Sequence, residues 1–94
     1  MNTGSRRGKN SLKLLGNIRG DGVLHGPDGP IAVVVDAAEY EERGRSSITG
    51  GLEGDLSAFE NGVELKLVLT ADGRELNVRL IEPDDGGADF RTQV

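Results

Sequence analysis

The chain holds one imidazole, His25, and no thiol. A single histidine does acid–base or metal chemistry only with partners beside it, and the nearest carboxylate in sequence is Asp28. Both belong to the stretch His25-Gly26-Pro27-Asp28-Gly29-Pro30, which is turn chemistry throughout. With Tyr40 they form the candidate lining of a ligand site. Two acidic groups could supply paired carboxylates: Glu39, Glu41 and Glu42, then Asp84, Asp85 and Asp89. The second has the outline of a calcium loop without the alternating ligands and distal Glu that an EF-hand needs. Arg19-Gly20-Asp21 spells an adhesion tripeptide, but inside a strand pattern rather than at a loop tip. The glycine-rich run Gly16–Gly22 neither ends in Gly-Lys-Ser/Thr nor opens a helix, which excludes a phosphate loop and a dinucleotide fingerprint. Ser46, Ser47 and Ser57 have no nucleophile-elbow setting and no evident base. No enzyme, cofactor or metal site is expected from these residues.

Charge narrows the partners. Residues 1–19 carry Arg6, Arg7, Lys9, Lys13 and Arg19 and no acid, whereas the remainder has six basic and sixteen acidic residues. Residues 1–11 are polar and aperiodic, so they read as a disordered basic tail ahead of a single domain over 12–94. An acidic body lacks the clustered basic footprint of a nucleic-acid face. The longest apolar run, Ile31 to Val35, is too short for a membrane span, and no apolar segment follows the basic start as in a secretory leader. The absence of Cys excludes a disulfide scaffold, and a cytoplasmic location is expected.

The elements that must position these residues are strands. Val63, Leu65, Leu67 and Leu69 alternate with Glu64, Lys66, Val68 and Thr70; after Asp72-Gly73, Leu76, Val78 and Leu80 alternate again. A two-residue type I′ turn at Asp72-Gly73 predicts Leu69 facing Leu76, Leu67 facing Val78 and Leu65 facing Leu80. From Leu12 to His25 the even positions are apolar or glycine, and from Arg45 to Leu56 they are Ser46 and then Ile48, Gly50, Leu52, Gly54 and Leu56. Glycine on an inward face suits a sharply coiled sheet. Ile31, Val33 and Val35 point inward, but Ala38 and Tyr40 have the other parity, which predicts a bulge near Asp36 or Ala37. Asp55 to Gly62 fits one helical turn, with Asp55 as cap and Phe59 inward. The last strand runs from Ala88 to Val94. Six long strands without an amphipathic helix predict an all-β, mostly antiparallel six-stranded barrel, closed or partly open, since closure removes edges.

The order of a Gly-Asp-Gly-Val-Leu strand, a Pro-flanked turn, a Val-rich strand, a Gly-x-Leu-x-Gly strand and an Ala-Asp-Gly-Arg-Glu-Leu hairpin resembles short uncharacterised bacterial β-barrel proteins over about residues 18–92. That resemblance implies a barrel and no activity. The PilZ domain, another six-stranded barrel, is similar in architecture and binds cyclic di-GMP through an Arg-x-x-x-Arg arm and an Asp/Asn-x-Ser-x-x-Gly strand. Here Arg6-Arg7 is followed by Asn10-Ser11, without the arm spacing. Arg45-Ser46-Ser47-Ile48-Thr49-Gly50 keeps the Ser and Gly positions but puts Arg where the acid or amide belongs. The resemblance therefore stops at architecture.

The functional expectation is a small non-enzymatic binding or interaction module. Val34, Val68 and Ile81 point outward and are the candidate homodimer or partner face. The alternative is a small-ligand barrel with a pocket at its mouth lined by His25, Asp28 and Tyr40.

Overall fold

The computed structural model describes residues 12–92, all of them in strands, turns and loops with no helix. The basic segment 1–11 and the last two positions of the expected final strand lie outside the described residues. Six strands form: β1 (Lys13–Gly26), β2 (Gly29–Glu42), β3 (Arg45–Glu53), β4 (Glu64–Leu69), β5 (Glu75–Ile81) and β6 (Gly87–Thr92). They close into a barrel in the order β1-β2-β3-β6-β5-β4, every neighbouring pair antiparallel.

The inward faces follow the alternation of the sequence. Leu24, Val33, Val35, Ile48, Leu52, Leu67, Val78, Leu80 and Phe90 are all buried, and no polar or charged residue is buried among the described residues. Burial at about 25 cal/mol per Å² of apolar surface is what holds so small a barrel together.

Four expectations are corrected. The β4–β5 register pairs Leu67 with Leu76 and Leu65 with Val78, two residues from the predicted pairing. A slip of two keeps every side chain on its face, so alternation alone cannot detect it. The loop is Thr70–Gly73: the Leu69 N–H donates to the Arg74 carbonyl (2.8 Å) and the Gly73 N–H to the Leu69 carbonyl (2.8 Å). Only Gly73 has positive φ (72°) there, so Asp72 does not sit in a type I′ turn; its carboxylate accepts the Arg74 N–H at 3.0 Å. On its other flank β4 stays in register with β1, where the Thr70 N–H donates to the Asp21 carbonyl (3.0 Å).

The bulge is not in β2, whose register runs without a shift against β3; it is in β1, between Leu14 and Gly16. Ala37 keeps the inward parity of Val33 and Val35 and is buried. Asp55 to Gly62 forms two linked turns instead of a helical turn, with the Phe59 N–H bonded to the Leu56 carbonyl (3.1 Å) and the Val63 N–H to the Glu60 carbonyl (3.2 Å). Finally, Leu12 and Leu14, expected inward, are 62% and 56% exposed. The bulge reverses their parity, and β1 has already run past the barrel: β4 covers it only from Gly22 to His25.

Two consequences set the surface. β3 and β4 stand three places apart in the ring of six, so residues 54–63 must cross one barrel end. Leu56, fully buried, plugs that end, and the Phe59 ring lies over Gly26. At the other end β1 and β2 continue beyond the shorter strands as an arm, completed by the start of β3, and the molecule is 54 Å long against 27 and 20 Å.

Candidate functional site

The expected mouth pocket does not assemble. His25 pairs with Pro30 at the top of the β1–β2 hairpin, and Asp28 is in its turn. Tyr40 pairs with Leu14 near the other end of β2. Ten residues of strand separate Tyr40 from Pro30, about 33 Å at strand rise. The mouth beside His25 is the one stoppered by Leu56 and Phe59. The crossover is held there by the β5–β6 loop, where the Leu56 N–H donates to the Asp84 carbonyl (2.9 Å) and the Gly54 N–H to the Gly86 carbonyl (3.2 Å). Asp84 shapes that loop, its Oδ1 accepting the N–H groups of Gly86 (2.8 Å) and Gly87 (3.0 Å).

Ser57 and Asp55 have each other as structural partners. Ser57 Oγ donates to Asp55 Oδ1 at 2.7 Å. This bond, with a second from the Ser57 N–H, holds the Asp55 carboxyl below its usual range. His25 is away from this turn, on β1 between Pro30 and Lys66. Among the described residues no three acidic or histidine side chains are placed to hold a metal ion. No helix of the described residues is long and apolar enough to cross a membrane.

The three outward apolar residues fall in two places. Val68 pairs with Val23, and Val23 with Ala32, so a short apolar row crosses β4, β1 and β2 and reaches Val34 one step along β2. Ile81 is opposite Asp89 on the β5–β6 side, three strands round the barrel from Val34. Val34 also borders a groove of about 530 Å³ over the outside of β2, β3 and β6, floored at Gly51 and walled by Asp36, Glu53 and Asp89.

The barrel end under the arm is closed by charge. Arg74, leaving the β4–β5 turn, makes a two-pronged contact with Glu39 on β2, Nη2 to Oε2 at 3.0 Å and Nη1 to Oε1 at 3.3 Å. Paired forks of this kind are the strongest form of exposed ion pair. The bond from Arg74 holds the Glu39 carboxyl below its ordinary value against a smaller opposing effect of burial, and the same bond raises Arg74. A carboxylate with a depressed folded-state pKa adds stability above its unfolded value, near 4.3, and loses it as pH falls through the folded value. The melting temperature of Glu39→Gln should therefore trail wild type at neutral pH, and the gap should close from about pH 5 downward. A gap that is constant to about pH 3 would mean that the ion pair is not formed in solution.

Sequence reasoning missed the arm. Leu12, Leu14 and Leu15 are 62%, 56% and 48% exposed, and Val34 is 46% exposed. The signal was present: Leu14-Leu15 is an adjacent apolar pair that breaks the alternation of β1, which is how a bulge appears in sequence. No match to the chain is found among protein-family models, curated proteins or solved structures.

Proposed function

We propose that the chain is a non-enzymatic interaction module that self-associates as a homodimer and meets its partners through the β1–β2 arm. One observation carries this reading. Of the exposed large hydrophobics among the described residues, Leu14, Leu15 and Val34 lie on the β1–β2 hairpin and Leu12 directly precedes it, so the three leucines crowd its free end. Apolar side chains gathered on a projecting element are characteristic of contact surfaces, whereas scattered ones are not. Support also comes from the interior, which is filled by aliphatic side chains and Phe90.

The test joins stability to association. The triple substitution Leu12→Ser, Leu14→Ser, Leu15→Ser should change folding stability by about 0.5 kcal/mol or less per site, as for surface positions. In sedimentation velocity up to millimolar concentration, wild type should form a species of twice the monomer mass and the triple variant should not. A wild type that stays monomeric removes the homodimer, and a large loss of stability in the variant returns the leucines to the fold. The groove beside Val34 favours a second reading, a small-ligand site on the barrel's outer wall instead of its mouth. A thermal-shift screen against metabolites and nucleotides separates the two.

A further inference from the structure

We propose that the free end of the β1–β2 arm docks on an anionic lipid surface, with its leucines entering the headgroup layer and its cations meeting the lipid's charged groups. The proposal rests on the reading of the arm as the contact surface and names what that surface meets.

Three observations converge on this end. First, its apolar side chains lie within a shallow depth. Leu12, Leu14 and Leu15 are 62%, 56% and 48% exposed. Three strand intervals separate the first from the last, at most about 10 Å. Interfacial elements bury their apolar side chains to about that depth, 5–10 Å into the boundary between headgroups and acyl chains. Exposed apolar patches rimmed by polar residues are typical of membrane contact sites.

Second, cations gather among those leucines. Lys13 stands between Leu12 and Leu14. The turn from β2 to β3 is Arg43-Gly44, with φ of 55° and 80°, so Arg43 sits at the tip and Arg45 opens β3. Glu41 and Glu42 pair with Lys13 and Arg45 along the ladders. These three cations and two acids leave +1, and residues 1–11, joined to Leu12, add Arg6, Arg7 and Lys9 and no acid, which brings this end to +4. The rest of the chain holds five cations and fourteen acids, or −9. The ion pairs among the described residues use Arg19, Lys66, Arg74 and Arg79, and none uses Lys13, Arg43 or Arg45. Each Lys or Arg close to an anionic membrane tightens binding about fivefold.

Third, the acidic body is held off. The next acids along β2, Glu39 and Asp36, are paired with Arg74 and Arg19. The molecule is 54 Å long, and exposed charges more than about 8 Å away are largely screened at physiological salt. An end-on approach presents leucines and cations to lipid while the body's carboxylates stay in water. Nucleic acid would engage the cations but not the leucines, because its interfaces are polar.

The test uses the full chain with two kinds of vesicle, phosphatidylcholine alone and an equal mixture of phosphatidylcholine and phosphatidylserine. Co-sedimentation should show binding to the mixed vesicles at least about tenfold tighter than to phosphatidylcholine, with most of that difference gone at about 0.5 M salt. The triple substitution Leu12→Ser, Leu14→Ser, Leu15→Ser should weaken binding at least about tenfold. Arg43→Gln with Arg45→Gln should weaken it at least about fivefold, and Arg91→Gln on the barrel wall should stay within about twofold of wild type. No binding to the mixed vesicles, binding indifferent to the serine lipid, or equal binding by the leucine variant overturns the proposal. A loss in Arg91→Gln as large as in the Arg43 and Arg45 variant overturns it too. Binding of a labelled oligonucleotide that survives the leucine substitutions, with none to vesicles, reassigns this end to nucleic acid. A protein that dimerises in sedimentation yet ignores both vesicles keeps the interaction-module reading and loses this one. Vesicle binding by a strict monomer keeps this one and removes the homodimer.

Discussion

Gly87→Ala should lose about 3–5 kcal/mol of folding stability, out of a total of about 5–14 kcal/mol for a chain of this length. Gly87 opens β6 with φ of 151°, a backbone region that costs a side-chain-bearing residue about 1–3 kcal/mol. An added Cβ would also fall on the carbonyl of Leu52 in the facing strand. That obstacle is main chain, paired in register with the start of β6, so no rotamer change relieves it. The same residue is gripped by Asp84, whose Oδ1 takes the Gly87 N–H and whose own N–H donates to the Gly87 carbonyl (2.8 Å). Displacing it loosens the loop that holds the Leu56 plug. Gly86→Ala is the control, because its Cβ would meet only Asp84 Oδ1 at an ordinary 3.5 Å. Urea unfolding should place Gly86→Ala within about 0.5 kcal/mol of wild type. Similar midpoints for both variants would show that the β5–β6 loop is built differently.

Phe90→Ala should cost about 3–5 kcal/mol, the range for removing a buried aromatic ring. Phe90 is 1% exposed and is the largest of the fully buried side chains. It pairs with Leu80 on one side and Gly50 on the other, so the ring lies where β3, β6 and β5 meet. Strands hydrogen-bonded on both sides cannot collapse into the space it leaves, and the cavity persists. Arg91→Ala, one position on and exposed, should stay within about 0.5 kcal/mol. Equal losses at 90 and 91 in a urea titration would mean that the inward face of β6 is wrongly assigned.

Much of the candidate surface could be read in the residues, but its position could not. That His25 and Asp28 lie at the same end of the β1–β2 hairpin followed from their closeness in sequence. That Tyr40 does not join them depends on how long β2 is and on which end of it meets the barrel mouth. Val34 and Val68 were legible as outward by parity, whereas their separation from Ile81 depends on the strand order round the ring. The exposed leucines of β1 were hidden because alternation marks an inward face without stating how far the barrel extends to cover it.

Alternation is a local property: each residue turns its side chain opposite to the last, so two-residue periodicity settles which face is apolar before any partner is chosen. By itself it determined an all-β chain, six strands, and the inward placement of Leu67, Val78, Leu80 and Leu52. Register, closure and cover depend on hydrogen bonds between distant segments. Only the tertiary structure decided that the β4–β5 hairpin closes on the longer loop Thr70–Gly73, that residues 54–63 cross the barrel end, and that β1 outruns β4. A shift of two residues or a longer strand leaves the face pattern unchanged, so pairing energy summed over the whole ring made those choices.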